Sequence, residues 1–120
     1  MDKLQNLSQL MKKNDYYRKV VMTGKHSQVV VMCLKRGEEI GEEVHADVDQ
    51  IFLVEEGEGE LLLDRKAYHL EAQALAFVPA GSRHLVRNTG EKPLRLCTIY
   101  SPPEHAPNAL EVLAPRVARA

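Results

Sequence analysis

The stretch GEEIGEEVHADVDQIFLVEEG, from Gly37 to Gly57, decides how this chain is read. Glycines close it at both ends, and His45 stands where a strand gives way to a turn. The apolar run Ile51-Phe52-Leu53-Val54 follows at strand length. A second stretch, PAGSRHLVRN from Pro79 to Asn88, repeats the arrangement: a Pro/Gly turn, then His84, then a short β-type run. Two histidines at strand–turn junctions, with glycines and prolines at these intervals, suit a small β-barrel.

Working outward, strand follows strand. Tyr17–Thr23 and Gln28–Leu34 are β-branched runs joined by Gly24-Lys25-His26-Ser27. Gln50–Glu55 and Glu60–Asp64 flank Glu56-Gly57-Glu58-Gly59, which reads as a hairpin turn. Ala67–Leu70, Leu75–Val78, His84–Arg87 and Leu94–Tyr100 complete the series. Before them Leu4, Leu7, Leu10 and Met11 recur at helical spacing, predicting one amphipathic helix over residues 3–13 that Asn14-Asp15 ends. After Ser101 the chain is proline-rich and is expected to wrap the surface or fray. The expectation is an all-β antiparallel sandwich or barrel with a short N-terminal helix. It forms a single domain over residues 1–120, with residues 1–14 as a helical segment and 101–120 as a tail.

The two stretches resemble the paired motifs of the cupin family, whose fold is the double-stranded β-helix, a jelly-roll-like antiparallel barrel. The first family motif reads G-x5-H-x-H-x3/4-E-x6-G, and its two histidines and glutamate ligate a metal with one further histidine from the second motif. If His45 were the first histidine, Asp47 would take the second place and Ile51 or Phe52 the carboxylate's. If it is the second, Gly37, Glu43, His45, Gln50 and Gly57 fall into register without a gap. The second motif, G-x5-P-x-G-x2-H-x3-N, is matched at Pro79, Gly81, His84 and Asn88, with Gln73 in place of its first glycine. More narrowly, Gly24-Lys25-His26, the run around Glu43 to Gln50, and Tyr100-Ser101-Pro102-Pro103-Glu104-His105 resemble small bacterial single-domain cupins. In that group an arginine often sits where this chain has Leu53.

The resemblance implies a variant metal set of Glu43, His45, Gln50 and His84, with Asp49 or Asp47 as an alternative ligand to Gln50. Two histidines, a carboxylate and a neutral amide oxygen suit a divalent transition metal (Fe, Mn, Ni or Zn) and leave positions for substrate or dioxygen. Glu43 and His45, at i and i+2 on a strand, share a face. The inward phase continues through Gln50, Phe52 and Val54, so Phe52, Val54 and Tyr100 are expected to line a substrate pocket. Glu43 is also the candidate general base. The expected function is binding a metal and acting on a small polar molecule, by dioxygenase- or isomerase-like chemistry. The alternative is a metal-free module that binds a sugar or aromatic ligand. His26, His69 and His105 lie outside both motifs and read as surface or packing residues.

The chain has 120 residues, 44% of them hydrophobic, and a formal net charge of −1. That balance gives no basic footprint for nucleic acid. No apolar run nears the roughly 18 residues that span a bilayer, so no membrane partner is expected. The polar start Met1-Asp2-Lys3-Leu4-Gln5-Asn6 lacks a signal peptide's apolar core, and a cytoplasmic setting is expected. Cys33 and Cys97 sit in apolar runs without Cys-x-x-Cys spacing and read as buried free thiols. Ile51 and Leu53 would face outward and need cover from the N-terminal segment or a second copy, so a homodimer is expected.

Overall fold

The computed structural model describes residues 1–115; the last part of the expected tail, 116–120, lies outside the described residues. One helix, α1 (Leu7–Lys13), precedes ten strands: β1 (Arg18–Thr23), β2 (Gln28–Leu34), β3 (Glu39–Val44), β4 (Asp49–Glu56), β5 (Gly59–Leu63), β6 (Lys66–Leu70), β7 (Leu75–Val78), β8 (Arg83–Asn88), β9 (Leu94–Ser101) and β10 (Leu110–Glu111). They form two antiparallel sheets, ordered β10-β1-β2-β9-β4-β7 and β3-β8-β5-β6. Between the sheets lies the core, with Val30, Met32, Leu34, Ile40, Phe52, Val54, Leu61, Val86, Leu96 and Tyr100 all buried. This is the barrel the two motifs predict.

Two expectations about the chain's course are corrected and a third is narrowed. The helix starts at Leu7, because the Asn6 side chain caps it by accepting from the Gln9 N–H; Leu4 lies outside it and is exposed. Gly57-Glu58-Gly59 does not make a hairpin. β4 pairs with β7 and β9, whereas β5 pairs with β6 and β8, so this segment carries the chain from one sheet to the other. Of the two courses expected for the tail, its described part wraps against the barrel: β10 pairs with β1, and the Tyr17 N–H donates to the Val112 carbonyl at 3.3 Å.

The glycine pattern has a conformational cause. Gly37, Gly57 and Gly81 have φ of +78°, +94° and +87°. Gln73, which replaces the fourth motif glycine, also adopts a left-handed φ of +72°. The turn is therefore kept although its usual residue is lost, at a backbone cost of about 1–2 kcal/mol for a side chain in that region.

Outside the barrel, α1 packs Leu7, Leu10 and Met11 onto Val31, Cys97 and Leu53. The Ser8 hydroxyl donates to the Glu55 carboxylate and pins the helix to β4. The N-terminal segment thus supplies the cover that outward-facing Leu53 requires. Both cysteines are buried and free, and burial pushes the Cys97 thiol up to about 11. Among the described residues, no helix is long and apolar enough to cross a membrane.

Candidate metal centre

Strand register brings the first two candidate ligands together. β3 pairs with β8, and an irregularity between Ile40 and Glu43 inserts one extra residue: Ile40 faces Val86, yet Glu43 faces His84. Without that bulge Glu42 would oppose His84. With it, Glu43 takes the place beside the histidine, and Glu42 pairs with exposed Arg83 at 2.7 Å. The turns carrying the two motifs are stitched together by backbone. The Gly81 N–H donates to the His45 carbonyl at 2.8 Å, and the Ala80 N–H donates to Asp49 Oδ1 at 2.9 Å.

Among the described residues, Glu43, His45 and His84 form a group whose ligand atoms all lie within 4.8 Å of one another. Glu43 Oε2 is 2.9 Å from His45 Nε2 and 3.9 Å from His84 Nε2. His84 Nδ1 is 3.1 Å from the Ser82 carbonyl. A carbonyl can only accept, so Nδ1 carries a proton, and in the neutral ring Nε2 is then the nitrogen with the lone pair. That Nε2 is buried and has no hydrogen-bond partner.

Gln50 is fully buried, and its Nε2 donates to Thr98 Oγ1 at 2.8 Å, leaving Oε1 buried and unpartnered. A buried acceptor left bare in this way costs about 1–3 kcal/mol unless something satisfies it. A cation at the Glu43–His45–His84 group would satisfy the orphaned His84 Nε2, and Gln50 Oε1 is a second buried acceptor without a partner. The donor set (two imidazoles, a carboxylate and an amide oxygen) fits a divalent transition metal. The alternative ligands do not gather here: Asp47 is exposed, and Asp49 is occupied with the Ala80 N–H.

The expected pocket residues divide. Phe52 stacks edge-on toward His84, with ring centroids 6.3 Å apart, but it and Val54 are packed into the core. Tyr100 is wholly buried, 6.1 Å from the His45 ring, with its hydroxyl unpartnered; burial raises its pKa and keeps the O–H protonated.

Sequence reasoning missed the contribution from beyond β9. Glu104 Oε1 lies 3.3 Å from His45 Nδ1, and His105 packs on Tyr100 at 5.1 Å. Burial, followed by the Arg18 charge, lowers the His105 pKa and favours its neutral form. His26 is exposed and His69 is largely so, as expected.

The Cupin domain family matches residues 30–100, which span both motifs and every candidate ligand. The chain belongs to the cupin family. It is 42% identical to the uncharacterized protein YrkC of Bacillus subtilis (strain 168), over 83% of this chain and 57% of that one. It is 38% identical to the uncharacterized protein L612 of Acanthamoeba polyphaga mimivirus, over 87% of this chain and 68% of that one. This chain thus spans little more than half of YrkC's length. The crystal structure of BH2720 from Bacillus halodurans superposes with a TM-score of 0.91 at 34% identity, covering 93% of this chain and 89% of that one.

Proposed function

We propose that this protein is a metal-dependent cupin in which Glu43, His45 and His84, with Gln50 as a neutral fourth donor, hold one divalent transition metal ion. The ion would be Fe, Mn, Ni or Zn, and the substrate a small polar molecule. The observation that carries this reading is the buried, unpartnered Nε2 of His84, 3.9 Å from the Glu43 carboxylate; the unpartnered, buried Oε1 of Gln50 supports it. When bound, such an ion supplies Lewis-acid or redox chemistry. The chain's own groups supply the rest. Tyr100 offers a protonated hydroxyl next to His45. Glu43, about one-third exposed, can take a proton from a ligand in turnover that leaves it free. Dioxygenase- or isomerase-like turnover is the proposed class, and two free buried thiols accord with a reducing, cytoplasmic setting.

Purified without chelator or histidine tag, then loaded with Fe(II) or Mn(II), the protein should consume oxygen or isomerise substrate against a panel of small hydroxy acids, sugars and phenols. Chelation should abolish this. Saturable ligand binding with no metal dependence would replace the proposal with the metal-free binding module.

A homodimer remains part of the proposal. Phe77 and Leu75 are the cross-strand partners of Ile51 and Leu53, and they extend the same outward face while staying largely exposed. Light scattering should give twice the chain mass. A monomeric mass held to high micromolar concentration would remove the claim.

A further inference from the structure

Each histidine of the site has a partner at Nδ1, His84 through a local hydrogen bond and His45 through a close approach of a distant carboxylate. His84 is fixed through Nδ1 by the carbonyl of Ser82, two residues away, and turns Nε2 toward Glu43. His45 also turns Nε2 toward Glu43, at 2.9 Å. Its Nδ1 has no comparable carbonyl and instead meets Glu104 Oε1 at 3.3 Å. Glu104 arrives from the segment after β9, fifty-nine positions away in sequence, and it is held there by a dedicated clamp. The side chain of Gln28, buried on β2, accepts from the Glu104 N–H at 3.2 Å and the His105 N–H at 2.9 Å. The same amide donates to the His105 carbonyl at 2.8 Å. One interior side chain thus makes three hydrogen bonds to the backbone of two residues, which holds the backbone from which the Glu104 side chain reaches His45.

We propose that Glu104 is a positioning residue for the metal centre: it takes the Nδ1–H of His45, and so orients the ring with Nε2 facing the ion, while Gln28 holds Glu104 in place. The inference rests on the metal reading above and adds to it a carboxylate outside both family motifs. Glu104 does not touch the ion; it acts through His45. A carboxylate in this position fixes the tautomer and ring orientation of a ligating imidazole and raises its basicity, and loss of such a partner typically lowers metal affinity about 10–100-fold.

The test uses the full chain, with Zn(II) as the probe ion in competition with a chromophoric chelator. Glu104→Ala should weaken Zn(II) binding by about 10–100-fold, while Glu104→Gln, which keeps an acceptor oxygen, should recover most of the loss. In the Zn(II)-loaded wild type, nitrogen-resolved NMR should find a slowly exchanging Nδ1–H on His45. That signal should vanish in Glu104→Ala and return in Glu104→Gln, a pattern that a purely structural role for Glu104 would not produce. Gln28→Leu should weaken binding in the same direction. Combined with Glu104→Ala it should add little, because both substitutions remove one device. If the wild type binds Zn(II) and Glu104→Ala binds equally well with its Nδ1–H intact, Glu104 has no such role and the metal reading stands. If the wild type binds no Zn(II), the metal reading itself fails and the positioning role falls with it.

Discussion

Replacing His84 with alanine should lower the affinity for a divalent transition ion by more than about 100-fold, beyond the 10–100-fold typical of residues that only support a ligand. His84 is the most buried of the three donors and the one whose tautomer the backbone itself sets, so no neighbouring group can substitute for it. The loss can be read as stability. An ion that binds only the folded chain stabilises it by about 2.7 kcal/mol at a hundred times its dissociation constant. The wild type should therefore melt higher when Mn(II) or Zn(II) is added, and His84→Ala should not. Circular dichroism of the two proteins without metal should match. An equal metal-induced rise in both would show that the ion binds elsewhere.

The second large effect is on folding. Gly57→Ala should cost about 3 kcal/mol. Part is the left-handed backbone, about 1–2 kcal/mol for a residue bearing a Cβ. The rest is collision: a Cβ at Gly57 would lie 2.5 Å from the Pro93 carbonyl oxygen and 2.8 Å from Leu94 Cα, both of them backbone. A loss of that size should lower the melting temperature by roughly 10 °C. Gly37 and Gly81 have positive φ but open space around the missing Cβ, so alanine there should cost only the conformational part. Gln73→Gly is the converse experiment. It removes a strained side chain from φ +72° and should stabilise by about 0.5–1 kcal/mol, since the entropy of an added glycine offsets part of the gain. Thermal melts of the four variants test this ordering. Gly57→Ala melting with the wild type would contradict the account of the crossing between sheets.

These glycines show why the fold could be read from sequence. The family spacing is a spacing of backbone conformations, and residue type reports conformation directly where only glycine fits easily. The same logic explains the tolerated exception at Gln73. What local pattern could not supply is partner choice. Glycines at 57 and 59 signal a sharp change of direction, and whether the next strand returns beside β4 or joins the opposite sheet depends on contacts with β6, β8 and β9. The site divides along the same line. Glu43, His45, Gln50 and His84 follow from motif spacing; three of them do gather, and Gln50 is buried on β4 with its Oε1 unpartnered. The bulge that turns Glu43 rather than Glu42 toward His84 leaves no mark in a run of similar residues. Glu104 reaches His45 where a buried amide on β2 holds the segment that follows β9, a contact with no local signature.

The metal centre can be tested most directly by anomalous diffraction from crystals of the untagged protein soaked in Mn(II) or Zn(II). The account predicts one strong anomalous peak bonded to Glu43, His45 Nε2 and His84 Nε2, with Gln50 Oε1 turned toward it. An ordered water among these residues with no anomalous signal, in crystals that carry the ion in their solvent, would contradict it.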